Sequence, residues 1–83
     1  MVAVNRAVAL AEVEGAAAGL AALDALNEDV RLSEYQPFWA ARAEMLARQG
    51  LSIQAREAYA RAIGLEADPA VRRFLLERSD ACD

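Results

Sequence analysis

The chain has 83 residues, of which 57% are hydrophobic and 27% charged, with thirteen acids against nine arginines and no lysine or histidine. A domain this small buries only roughly 60–65% of the surface its unfolded chain exposes, and alanine supplies 21 of its residues, so its elements must pack closely through small side chains. A net charge of −4, one cysteine and three serines leave little raw material for catalysis, for metal binding or for neutralising phosphates.

The apolar positions recur at helical spacing. In the first segment Val4, Val8 and Ala11 share a face with Ala7 and Leu10 beside it, and Gly15 ends the run. A second helix, about Ala16 to Leu26, carries Leu20, Leu23 and Leu26 on one stripe. Residues 27–36 read as a non-helical loop that Val30, Leu32 and Tyr35 could pin down. Pro37 suits the first turn of a third helix, where its missing N–H costs nothing, and Gly50 provides the left-handed cap beyond Gln49. Ser52 is the expected N-cap of a fourth helix with Ala55, Tyr59, Ala62 and Ile63 on its stripe, and with Glu57 and Arg61 spaced for a surface pair. Asp68 and Pro69 restart the chain as N-cap and first helical residue. The fifth helix carries Val71, Phe74 and Leu75 and fades in the tail SDACD. Nothing reads as a strand, so the expected class is all-α: antiparallel helical hairpins, about five helices in all.

Arg6 before the apolar residues VALA imitates the start of a signal peptide, but Glu12 and Glu14 interrupt the run. No stretch approaches the ~18 apolar residues a bilayer demands, so the chain is expected in the cytoplasm and away from membranes. Cys82 stands alone near the end, where it reads as an exposed, incidental thiol.

Gly15 and Gly50 lie 35 residues apart, each between two helices. That is close to the period of a tetratricopeptide (TPR) helix-turn-helix repeat. From Trp39 the intervals run through Ala43, Leu46, Gly50, Ala55, Tyr59 and Ala62, an alternation of large and small residues that resembles the TPR pattern; Arg42 stands where that pattern usually has leucine. The first unit fits through Val4, Val8, Ala11 and Gly15, but needs a turn one residue shorter to align Gly19, Leu23 and Leu26. The domain reading is a single unit over residues 1–83, with repeat one at about 1–35, repeat two at about 36–68 and a terminal helix at about 69–79. Two hairpins fall short of the three repeats a free-standing solenoid needs, and the first helix starts without a cap residue. The expectation is therefore a piece of a longer chain.

Four stretches carry a more specific resemblance: NRAVALAEVEGAAAGLAALDAL, YQPFWAARAEMLARQG, AREAYARAI and RRFLLER. Together they resemble the C-terminal TPR-like extension of certain bacterial sigma factors of the extracytoplasmic-function (ECF) type, over about residues 4–78. The tail SDACD departs from the leucine-containing ending of that family. The resemblance implies an accessory domain that enables or modulates transcription initiation by contacting the upstream sigma regions or RNA polymerase. The promoter-reading regions of that family lie upstream of this segment, so direct nucleic-acid binding is not implied.

The candidate protein-binding residues are Asn5, Arg6, Phe38, Arg42, Arg72 and Arg73. Asn5 and Arg6 are polar positions in an apolar helix: a contact point on a concave face, or an internal ion pair and a loop cap. Arg42 could grip a partner's carboxylate with its planar fork, or pair internally with Asp24 or Glu12. Phe38, Trp39 and Tyr35 form an aromatic cluster that is either core or binding hot spot, and Phe38 is its member expected to stay partly exposed. Arg72 and Arg73 would serve a surface formed by the first and last helices; Glu77, Asp80 and Asp83 offset them against nucleic acid. No cofactor, metal or enzymatic activity is expected. The alternatives to a transcription role are a TPR scaffold that binds a peptide or pairs with itself as a homodimer, and a helical domain that senses a small ligand in a pocket between hairpins.

Overall fold

The computed structural model describes residues 2–26 and 29–82; Met1, the first two residues of the expected loop (Asn27 and Glu28) and Asp83 lie outside them. Five α-helices follow in order: α1 (Val2–Glu14), α2 (Ala16–Asp24), α3 (Gln36–Arg48), α4 (Ser52–Leu65) and α5 (Pro69–Asp80). A 3-10 helix, Val30–Glu34, stands between α2 and α3. The described residues contain no strand.

The punctuation is local chemistry. Gly15 turns the chain between α1 and α2 at φ 103°, a backbone region that side chains with a Cβ rarely adopt. At the end of α3 the amide of Leu51 donates to the carbonyl of Leu46 (3.0 Å) and that of Gly50 to Ala47 (3.0 Å). With Gly50 at φ 76° this is a Schellman turn, and it reverses the chain at once. The turn closes so tightly that Leu51 occupies the N-cap position of α4. Ser52 is therefore already helical, and no side chain caps that helix. Asp68 caps α5 as its sequence demands, accepting the Ala70 amide at 2.9 Å, with Pro69 in the first turn.

The described part of the expected loop, residues 29–36, is largely helical. Asp29 accepts the Arg31 amide at 3.0 Å and holds the Arg31 guanidinium at 2.7 Å, which starts the 3-10 turn. That pairing keeps the Asp29 carboxyl below its ordinary range, chiefly through the side-chain hydrogen bond from Arg31. Leu32 is the residue that pins the segment, while Val30 points to solvent.

Each helix packs on its chain neighbours and α1 also meets α3; the α3–α4 interface is the most extensive. The buried residues form two clusters. One joins Val4, Ala7, Ala11, Leu23, Leu32, Phe38 and Met45. The other joins Ala43, Leu46, Ala55, Ala58, Tyr59, Ala62, Leu75 and Cys82. Leu20 and Trp39, both half-buried, touch the two clusters and make them continuous.

Four side chains depart from expectation. In α1 the buried stripe is Val4, Ala7 and Ala11, because α2 crosses against the small residues and turns Val8 to the edge. Phe74 is 59% exposed, because α4 takes up Leu75 and leaves Phe74 on the flank of α5. Arg61 forms no ion pair with Glu57; its guanidinium lies 4.4 Å from the centre of the Trp39 ring instead, a cation–π contact. Finally, Cys82 is buried rather than exposed. The helix continues through Ser79 to Asp80, and a last turn, with the Cys82 amide on the Ser79 carbonyl at 3.1 Å, folds the thiol inward.

Candidate functional site

Phe38 does not belong to any surface. It is 2% exposed, packed with Leu23, Leu32 and Met45, and its ring meets Trp39 edge-on at 5.2 Å and 87°. The Pro37 turn that starts α3 directs position 38 toward the α1–α2 hairpin, and the larger Trp39 takes the boundary place. The Trp39 indole N–H donates to the Ser33 carbonyl at 3.1 Å and its face receives Arg61. The aromatic pair thus anchors the 3-10 segment to α3 and α4.

Arg42 is spent internally. Its guanidinium donates to the carboxylate of Asp24, tying α3 to α2 across their interface. The ion pair is a directional link between the two helices, and it engages one Nη of the Arg42 fork.

A second charged array was not expected. Arg48 donates to Glu12 at 3.2 Å and to Glu44 at 3.0 Å, and Arg78 stands 3.7 Å from the same Glu44 oxygen. Alternating charges therefore run from α1 through α3 to α5. The hydrogen bond that Arg48 donates to Glu12, followed by the charge of Glu44, raises the pKa of Arg48 above its already high value, so it stays charged. Glu44, Arg48 and Arg78 border an open cleft of about 510 Å³ with Tyr59 and Cys82 in its wall. Arg56 donates to the Cys82 carbonyl nearby. Each of these three guanidiniums is thus engaged, Arg48 and Arg78 by carboxylates and Arg56 by the carbonyl that follows α5. Glu44 and Arg48 stand four residues apart on one helix, whereas Glu12 and Arg48 are separated by 36 positions and only the packing of α1 on α3 brings them together.

Asn5, Arg6, Arg72 and Arg73 remain exposed, and the structure divides them. Asn5 and Arg6 project from α1, where neither side chain has a partner among the described residues. Arg72 and Arg73 project from α5. Arg72 reaches only the Glu66 carbonyl, at 3.2 Å, and the Arg73 side chain has no partner among the described residues. Together with Ile63, Pro69 and Leu76 they line a shallow groove of about 360 Å³ between α4 and α5. Leu76, the last of the α5 residues in its lining, is 52% exposed. No family model, curated protein or solved structure matches the chain. Among the described residues no cluster of three or more carboxylate or thiol ligands could hold a metal ion, and no helix is long and apolar enough to cross a membrane.

Proposed function

We propose that this chain is a protein–protein interaction domain of TPR-like build, the C-terminal extension of a bacterial ECF sigma factor. In this reading it acts in the cytoplasm without catalysing a reaction, and it enables or modulates transcription initiation by touching the upstream sigma regions or RNA polymerase. The observation that supports it most is the α3–α4 hairpin. Ala43, Leu46, Ala55, Tyr59 and Ala62, the residues that resemble the repeat pattern, are all buried in one cluster, and Gly50 makes the turn between their helices. The sequence resemblance over about residues 4–78 supplies the sigma-factor assignment. Arg31, Arg42, Arg48 and Arg78 are already matched to carboxylates, which favours protein over nucleic acid as the partner.

The test is a titration of the fluorescently labelled 83-residue chain against two samples in parallel, the upstream regions of an ECF sigma factor and core RNA polymerase. Saturable binding to either is the expected result; binding to neither, by a chain shown folded by circular dichroism, refutes the assignment. A second reading, self-association, draws on the outer side of α1, where Val2 is 72% and Val13 83% exposed. Covering those side chains in a dimer would remove apolar surface from water. A monomer mass that does not change with concentration in sedimentation would dismiss it.

A further inference from the structure

The flank of α5 that faces away from the Leu75 side combines three properties found together nowhere else among the described clefts: an apolar floor, two adjacent cations and no carboxylate in its lining. The arginines of the chain's other clefts are engaged: Arg48 and Arg78 with Glu44, Arg42 with Asp24, Arg61 with the Trp39 ring and Arg56 with the Cys82 carbonyl. Here, among the described residues, the Arg73 side chain has no partner and Arg72 has only one backbone carbonyl. Glu77 and Asp80 come later on the helix and do not line the groove. From Pro69 through Arg72 and Arg73 to Leu76 the side chains recur at three- and four-residue intervals, a strip about 11 Å long at 1.5 Å per residue. Ile63 of α4 forms the opposite wall. Such a strip between two helices is the shape into which one face of a third helix packs.

We propose that the α4–α5 groove docks an amphipathic helix from a partner protein, one that presents acidic side chains beside an apolar stripe. The stripe covers Ile63, Pro69 and Leu76, and its carboxylates meet Arg72 and Arg73, where planar guanidinium groups offer paired donors. This inference rests on the groove and not on the sigma-factor reading. The polymerase titration and the experiment below fail separately.

The probe is a synthetic helical peptide of about 14 residues, four turns, with leucines at helical spacing flanked by glutamates. Its twin carries lysine at every glutamate position. Both are titrated by fluorescence anisotropy against the full chain. The glutamate peptide is expected to bind saturably and the lysine twin at least about tenfold more weakly. The double variant Arg72→Glu with Arg73→Glu should invert that order, and Leu76→Ser should weaken both. All three positions are exposed, and unchanged helicity by circular dichroism confirms that the variants fold. Amide shifts in the NMR spectrum should centre on Ile63 and Leu76. Equal affinity for the two peptides, no binding, an order that survives charge reversal, or shifts centred on α1 would each overturn the proposal. Self-association abolished by Leu76→Ser would also overturn it, since a second copy would then be the occupant.

Discussion

The first hairpin closes at a point and the second along a line. Where α1 crosses α2, a Cβ placed on Gly19 would sit 2.5 Å from that of Ala11, so the absence of a side chain is what lets the helices meet. In α3 and α4 the closeness is shared among Ala43, Ala55 and Ala62, each fully buried, with Leu46 and Tyr59 filling the space between turns. The first interface therefore depends on one atom being absent, while the second depends on many contacts being present. α3 also reaches back into the first hairpin through Phe38 and Met45, and α4 carries α5. The second hairpin is the frame of the molecule, from which α1 and α5 present their outer faces.

That comparison can be broken or sharpened by substitution, from the largest effect to the smallest. Phe38→Ala removes the ring by which the frame holds the first hairpin and should cost about 3–5 kcal/mol. A loss of that size rivals the whole stability of a domain this small, so urea unfolding followed by circular dichroism should show a chain largely unfolded in water. Gly19→Ala should destabilise by about 1–3 kcal/mol through overpacking, although alanine is intrinsically the better helix former. Its control is Gly64→Ala in α4, where an added Cβ meets nothing within 4 Å. There the same substitution should stabilise by about 0.5–1 kcal/mol. Opposite signs in the two melting temperatures are the signature of the close crossing; equal signs would mean that α1 and α2 do not touch at Gly19. Gly50→Ala lies between them in size, at about 1–2 kcal/mol of cost, because its φ of 76° strains any residue with a Cβ.

The smallest effect belongs to the charge ladder. Glu44→Gln removes the carboxylate shared by Arg48 and Arg78, but all three side chains are at least two-fifths exposed. A loss of no more than about 1 kcal/mol is expected, shrinking as salt is added. A cost that is large or indifferent to salt in thermal melts would show that Glu44 does something other than pair with arginines. Acidification should loosen the 3-10 segment, and only below the ordinary carboxylate range. Asp29 titrates below its ordinary range when folded, so its contribution is present above the unfolded pKa and disappears as pH falls through the folded one. Chemical shifts of Arg31 and Leu32 followed on acid titration would report it.

Helix boundaries were legible because their signals are local: Gly15, Gly50 and the Asp68–Pro69 pair act on the turns in which they stand. The buried alanines of the second hairpin were legible through their spacing. What escaped were features set by elements distant in sequence. The orientation of Phe38 depends on where the first hairpin lies, and Arg61 chose Trp39 over the Glu57 that its own helix offered. Cys82 is buried by a turn at the end of α5 that no residue type announces. Among the candidate site residues, Arg42 was readable as either a binding fork or an internal pair, and packing of α2 against α3 brings Asp24 within reach. Arg72 and Arg73 were recognisable as exposed cations, but their groove exists only once Ile63 is brought alongside.

Native-state hydrogen exchange reports directly on which hairpin is the frame, since amides that exchange only on global unfolding mark the most stable unit. The slowest amides should lie in α3 and α4, around Ala43, Leu46, Tyr59 and Ala62, with those of α1 and α2 exchanging faster through local opening. Protection in α1 and α2 equal to or greater than that in α3 and α4 would contradict the account.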